Sequence, residues 1–261
     1  MNNSPVVVLI AASDRAHLHL ARTIPSLLRQ TGSYDAIVIV DDTPRSHKQQ
    51  LEFWRTSGLE VVNFLKNKRK KGAAGTWNTG LDWIRENYGE SWVAILDDDD
   101  EWLPDHLSLC QSSITNEIDA VISGIATFID DVQVSEPNHG NFNLGDFLHS
   151  NPGWQGSNTF IRLSLLERVG RFDENLECTH DRDLAVRLLE LDNFRYIRTG
   201  QTSVRYHINA KVPAYTRRFN PEKLSGLRTF LQKHGHKMTI EQKDNFFIRA
   251  FELFGFSKEQ F

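Results

Sequence analysis

Four unbroken apolar runs punctuate the first hundred residues: "PVVVLIAA" (5–12), "DAIVIVDD" (35–42), "LEVVNFL" (59–65) and "SWVAILD" (91–97). Successive side chains of a strand point to opposite sides, so an unbroken run demands cover on both faces, as for strands inside a parallel sheet. Between the runs lie segments of helical character, 16–30, 45–57 and 75–88; in the first, Leu18, Ile24, Leu27 and Leu28 fall mostly at helical spacing. This strand–helix–strand alternation predicts an α/β fold built on an open, doubly wound and mainly parallel sheet.

The second half is less regular. "PDHLSLCQSSI" (104–114) reads as a helix with proline in its first turn, and "DAVISGIATFI" (119–129) as a long strand. Residues 130–154 read as a loop region with a short helix near Gly145–His149, followed by a strand at 156–162. "RDLAVRLLEL" (182–191) places Leu184, Leu188 and Leu191 on one helical face, and "FRYIRTGQTSVRYH" (194–207) suggests a β-hairpin. Residues 221–261 read as two Phe-rich helices, a C-terminal extension of one compact domain spanning 1–220.

Composition narrows the classes. Apolar content of 39% and charged content of 25% fit a soluble globular chain. No apolar run approaches the roughly 18–20 residues that cross a bilayer. The start, "MNNSPVVVLIAASDR", lacks the basic region of a signal peptide. Cys110 and Cys178, in no metal-like spacing, read as free thiols of a reducing compartment. The expected location is cytoplasmic, with peripheral contact at the inner face of the membrane left open. A net charge of −4 argues against a general nucleic-acid binder.

The acids are placed less evenly than the totals suggest. Ser13-Asp14 follows the first predicted strand, Asp41-Asp42 closes the second and Asp97 to Asp100 close the fourth. In doubly wound sheets, ligands bind outside the C-terminal strand ends. Carboxylates gathered there repel one another, and a hard divalent cation such as Mg²⁺ or Mn²⁺ relieves that repulsion. Taken alone, Asp98, Asp100 and Glu101 also fit a solvated loop at a helix start.

"LDDDDEWLP" (96–104) resembles the L-D-x-D-D-x-W-x-P segment of family 2 glycosyltransferases, inverting enzymes of the GT-A fold that carry a DxD metal motif there. Four further stretches resemble family segments in the family's order. "VVLIAASDR...LARTIPSLLRQT" looks like the first strand and helix, and "IVIVDDTP" like the second strand. "GAAGTWNTGLDWI" is similar to the G-x-x-x-A-R-N-x-G helix start, and "FDENLECTHDRDLAVRL" to F-D-E...E-D-x-D-L-x-x-R-L. The resemblance covers much of residues 5–210. It implies a nucleotide-binding half over 1–100 and an acceptor-binding half over 101–220.

It also implies site residues. Asp97 and Asp99 form the DxD pair, with Asp99 the expected direct metal ligand and Asp97 the expected contact to ribose or a metal-bound water. Ser13, Asp14, Asp42 and Asp98 would lie about the nucleotide, although "DDTP" is also ordinary turn chemistry. In "KNKRKKGAAGTWN" (66–78), Gly72 and Gly75 would let backbone approach the nucleotide and Asn78 would anchor the loop; Trp77 stands where the family usually has Arg. The lysines there fit a solvated face equally well. Asp181 takes the place of the catalytic base and His180 that of a usual Glu, while a helix start at Asp181 and Asp183 would lower their pKa and weaken a base. His207 resembles the late histidine that completes the metal or diphosphate site. Lys211, Arg217 and Arg218 lie in a stretch that could close as a diphosphate lid. Trp154, Gln155 and Asn158 occupy positions that shape the sugar and acceptor pocket, a buried aromatic being the common alternative for Trp154.

The function implied is metal-dependent (Mn²⁺ or Mg²⁺) inverting transfer of a sugar from a nucleotide-diphospho-sugar, a UDP-sugar foremost, to a carbohydrate or lipid-linked acceptor in polysaccharide or glycoconjugate biosynthesis. A sugar-nucleotide nucleotidyltransferase should show a glycine- and Arg-rich loop after the first strand, and "AASDRAHLH" has no glycine. A non-catalytic nucleotide- or carbohydrate-binding protein on the same scaffold, and a metal-dependent phosphoesterase, are the other readings.

Overall fold

The computed structural model describes residues 4–13, 19–43, 52, 56–208 and 217–261. One nine-stranded sheet organises them, in the order β3-β2-β1-β4-β8-β6-β9-β5, with β7 (Val132–Gln133) paired to β6 off this path. The four apolar runs become β1 (Val6–Ala12), β2 (Ala36–Asp41), β3 (Val62–Lys66) and β4 (Trp92–Asp97), all mutually parallel. Their unbroken character has the expected cause. Val7, Leu9, Val38, Val40, Val93 and Ile95 pack into one apolar cluster, and Val8, Ile10, Ile37, Ile39, Ala94 and Leu96 into a second on the other face.

The helix expected over 16–30 is described from His19: a π turn, His19–Thr23, runs into α1 (Ile24–Leu28) with Pro25 in its first turn. The segment expected to be helical over 45–57 lies largely outside the described residues. α2 (Ala73–Tyr88) covers the first cluster through Trp77, Leu81 and Ile84. It lies so close to the sheet at Gly80 that a methyl there would collide with Leu9 and stand 3.1 Å from Val40.

The remaining strands are β5 (Glu101–Trp102), β6 (Ala120–Ile129), β8 (Thr159–Arg162) and β9 (Tyr196–Ile208); the helices are α3 (His106–Ser112), α4 (Leu144–His149), α5 (Leu163–Arg168), α6 (His180–Leu189), α7 (Pro221–His234) and α8 (Ile240–Phe254). β8 is antiparallel to β4 and β6, and β5 is antiparallel to β9. The strand expected at 156–162 begins instead as a 3-10 turn, Gly156–Asn158, held by reciprocal bonds between Gln155 and Asn158.

The expected hairpin over 194–207 is a single strand. β9, 13 residues long, runs parallel to β6. Ile122 faces Arg198 but Gly124 faces Thr202, so β9 carries two extra residues there, around Gly200 at φ +67°. The "TGQT" sequence therefore makes a bulge rather than a turn. Gly124 permits it, since a methyl would lie 2.7 Å from the Gln201 carbonyl oxygen. The C-terminal helices share the first cluster: Leu227 and Phe230 of α7 and Phe246 and Ala250 of α8 join Phe147 of α4 and Leu184 of α6.

Candidate active site

Register fixes what converges. Ala12 pairs with Asp41 and Ala11 with Asp97, so the ends of β2, β1 and β4 lie side by side. A cavity of about 1440 Å³ opens there. Single-ligand sites run to roughly 300–1,000 Å³, so this one has room for two ligands. On one side it is lined by Ser13, Asp42, Thr43, Lys70 to Gly72 and Thr76; Asp97, Asp98 and Asp99 lie at its floor; Gln155, His180 and Asp181 come from the opposite side.

The acidic run divides its labour by alternation. Asp97 and Asp99 are partly exposed, whereas Asp98 and Asp100 are buried. Asp98 turns back to β1, where its Oδ2 accepts from Ser13 N (2.5 Å) and Ser13 Oγ (2.8 Å). Asp100, fully buried, accepts from Ser157 Oγ at 2.5 Å and from His207 N at 3.0 Å, tying the end of β4 to the Gly156 turn and to β9. Ser157 Oγ in turn accepts from Asp97 N at 3.0 Å. Burial, and then the charges of Asp100, Asp181, Asp99 and Asp98, hold the Asp97 carboxyl well above the usual range. A methyl on Gly156 would sit 3.1 Å from Asp97 Oδ1, so glycine there leaves that carboxylate its place.

Asp181 enters from the start of α6, after Thr179 at φ +66°. Burial pushes its carboxyl up to about 7, against the pull of Lys223 and of the backbone N–H groups of Asp181 and Gly156. The expected lowering at a helix start is outweighed here. At Asp183 the balance goes the other way: burial raises it, but the His234 hydrogen bond (2.8 Å), Arg187 and Lys233 hold it well below the usual range. Asp183 thereby fastens α7 onto α6. His180 lines the cavity, burial keeps its ring toward the neutral form, and it bonds the Leu176 carbonyl at 2.9 Å. Trp77 packs on Phe172 at 4.6 Å and meets His180 edge-on at 5.8 Å, so the two departures from the family pattern touch each other.

Several expected site residues serve the scaffold instead. Trp154 is 1% exposed, stacks on Phe142 at 5.4 Å and donates to Thr159 Oγ1, which corrects its expected place as a sugar platform. Asn158, fully buried, spends its amide on the Ser123 and Gly153 carbonyls and Gln155 N. Asn78 clasps Phe172 N and O and Glu174, anchoring that segment rather than facing the cavity. Gly75 serves a different close approach from the expected one, since a methyl there would collide with the Lys70 carbonyl oxygen. Asp42 lines the cavity, but its two oxygens hold Asn67 Nδ2 (2.7 Å) and Gly72 N (2.9 Å).

His207 is also displaced from its expected role. Tyr206 and Ile208 line the cavity, while His207, alternating with them, lies between Glu101 and Asp131, 3.6 Å from each. Arg217 is exposed and Arg218 donates to the Glu252 carbonyl at 2.7 Å; neither lines the cavity. Asp14 and Lys211 lie outside the described residues. The lysine-rich loop is exposed over Lys68–Lys71 but partly paired: Lys66 with Asp41, Arg69 with Asp82 and Glu174, and Lys70 with Glu177.

A family model described as glycosyl transferase family 2 matches residues 8–181, more than half of the chain. The chain belongs to glycosyl transferase family 2. WcaA of Escherichia coli, named for colanic acid biosynthesis, is 28% identical over 109 residues, 42% of this chain and 38% of WcaA. The succinoglycan biosynthesis protein ExoW of Rhizobium meliloti is 32% identical over 97 residues, 37% of this chain and 30% of ExoW. The matches thus span well under half of those relatives. Among solved structures, a Staphylococcus aureus TarS fragment in complex with UDP-GlcNAc superposes over 98% of this family 2 chain and 74% of the fragment, with TM-score 0.64 and 14% identity. The mannosyltransferase PcManGT of Pyrobaculum calidifontis, in complex with GDP-Man and Mn²⁺, covers 96% of the chain and 70% of its own, with TM-score 0.58 and 18% identity. Family and superposition together place the mostly parallel, curled sheet and the helices after it in the GT-A fold.

Proposed function

We propose that the chain transfers a sugar from a UDP-sugar to an acceptor hydroxyl, with inversion and with a divalent ion, in polysaccharide or glycoconjugate biosynthesis. The observation that carries this reading is that Asp181, its carboxyl near 7, shares one cavity with Asp97 and Asp99. A base whose pKa lies near the operating pH serves proton transfer best. The acceptor oxygen attacks the anomeric carbon, its proton passes to Asp181, and the bond to the diphosphate oxygen breaks with its electron pair leaving on the diphosphate. Residues 1–100 hold the donor on this reading, and 101–220 with α7 and α8 face the acceptor.

The donor set fits a hard cation. Asp97 and Asp99 offer carboxylate oxygens, and the crowding that raises Asp97 is what a divalent ion relieves. Asp97 and Asp99 are the residues that would hold the ion, and among the described residues no group of three or more His, Cys, Asp or Glu surrounds one point. When bound, the ion supplies positive charge to the departing diphosphate. TarS solved with UDP and with UDP-GlcNAc, and PcManGT with GDP-Man and Mn²⁺, support the donor class and the ion. No described helix is long and apolar enough to cross a membrane.

The test is thermal stabilisation by UDP, UDP-sugars, GDP and GDP-mannose, each with Mn²⁺, Mg²⁺ or chelator, on wild type and Asp99→Ala. Binding raises the melting temperature with occupancy. A metal-dependent shift with uridine nucleotides, lost in Asp99→Ala, is expected. A shift with guanosine nucleotides alone would reject the UDP assignment, and no shift with any would reject the donor site.

A further inference from the structure

Beyond Asp181 the cavity wall turns cationic. Arg182 of α6, Lys223 of α7 and Arg249 of α8 all line it. Arg182 is 7% exposed, its Nε and Nη2 donate to the Phe147 and Leu148 carbonyls at 3.1 and 3.0 Å, and its guanidinium lies 4.2 Å over the Phe230 ring. The Lys223 ammonium stands 4.5 Å over Phe254. None of the three forms an ion pair with a carboxylate among the described residues. Glu177, also on the wall, is taken by Lys70 at 3.3 Å, and Glu222 and Glu252 pair with none of them.

Burial and then repulsion from Arg249 push Arg182 down to about 9, and burial with repulsion from Arg182 and Arg249 lowers Lys223 against the pull of Asp181. Asp181 draws on Lys223 and Glu252 on Arg249, but among the described residues neither closes to an ion pair, so an anion bound between the three cations would still offset part of this cost. Cation–π contact with two phenylalanines accounts for part of the placement but not for the gathering of three cations on one wall.

The cluster is separate from the donor side. Asp97 feels Asp181, and Asp181 feels Lys223, so the base lies between the aspartate floor and the cationic wall. The lysines on the donor side are Lys70 and Lys71. Leu227, Phe246 and Ala250, all buried, give this wall an apolar backing in which a charge contact is stronger than in open water.

We propose that Arg182, Lys223 and Arg249 form an anion subsite for the acceptor, which carries a phosphate beside the hydroxyl that Asp181 deprotonates. The proposal rests on Asp181 as base under the reading above. A soluble sugar phosphate and a lipid-linked phosphate share this chemistry.

The experiment is calorimetric titration of inorganic phosphate, glycerol 1-phosphate and farnesyl phosphate into protein already saturated with UDP and Mn²⁺, for wild type, Arg249→Gln, and Lys223→Gln/Arg249→Gln. Wild type should bind phosphate with the nucleotide in place. Each cation removed should weaken it about tenfold, the worth of one charge-assisted bond, with UDP affinity unchanged. Arg249 is exposed on α8, so the single variant keeps the test valid if the double variant is poorly folded. Tighter binding of farnesyl phosphate than of glycerol 1-phosphate identifies the lipid-linked source, and the reverse or equal order the soluble one; both support the subsite. No phosphate binding beside UDP, or equal binding in the Arg249 variant, would overturn it, as would a parallel loss of UDP affinity, which would give the cations to the donor. Failure of UDP to bind wild type is a failure of the donor reading, and phosphate titrated alone then still reports on the cluster.

Discussion

Asp100→Ala should unfold the molecule more readily while Asp99→Ala, one residue away, should not. Asp100 is fully buried and accepts from Ser157 Oγ and His207 N. Removing it strands both donors in a dry site, at about 1–3 kcal/mol each. The change also relieves repulsion, because Asp100 is the nearest in effect of the carboxylates that raise Asp97. That relief is small, because Asp97, held toward its protonated form, carries little of the charge that Asp100 repels. The loss outweighs the relief once the cavity left by the carboxylate is added, giving about 3 kcal/mol of net destabilisation, or roughly 6–12 °C in a chain of this size. Asp99 is partly exposed, so its truncation should leave the melting temperature within a degree or two and remove metal-dependent nucleotide binding. Urea and thermal unfolding of both variants without ligand check this. Equal stability losses, or a stable Asp100→Ala, would refute the division of the acidic run into ties and ligands.

Asp181 gives opposite pH signs for activity and stability. As the proposed base it would act deprotonated, so kcat/KM should rise through about pH 7 and level off above it. Its folded pKa is raised above the unfolded value near 3.9, so its contribution to stability is complete below that value and is lost as pH climbs through about 7. Asp181→Asn should therefore lose about 10²–10⁴ in kcat, abolish the acid limb, and gain stability relative to wild type at pH 8; a rate–pH profile with paired unfolding curves measures all three. Gly156→Ala should press on Asp97 and weaken metal-dependent UDP binding about tenfold with a smaller change in stability, read by titration and melting.

β1, β2 and β4 were legible because each is buried on both faces, which leaves an apolar run with no polar alternation, and the edge strand β3, only half-buried, carries Asn63 and Lys66 in its run. β9 was not, because "TGQT" is turn chemistry until Gly124 on the neighbouring strand supplies room for a bulge. In the site, the sequence announced that carboxylates would gather but not which would face the cavity. That depends on Ser13 and Ser157, residues distant in the chain that claim Asp98 and Asp100. The placement of His207 had a readable signal: Val204, Tyr206 and Ile208 alternate with Arg205 and His207, so the histidine shares the charged face. Trp77 and His180 read as separate oddities in the sequence, and the fold brings them into edge-on contact. Arg182, Lys223 and Arg249 went unnoticed because they come from three helices that only the folded chain brings to one wall.

Asp42 grips the basic loop at both of its ends, Asn67 and Gly72. A loop fastened in this way behaves as a short closed ring, with only Lys68 to Lys71 between its fixed points. Each backbone residue that must be ordered on binding costs on the order of 1–2 kcal/mol, so a ring already closed meets a nucleotide with most of that ordering done. On the proposed donor reading, Lys70 would leave Glu177 for a phosphate while the frame that aims it stays still.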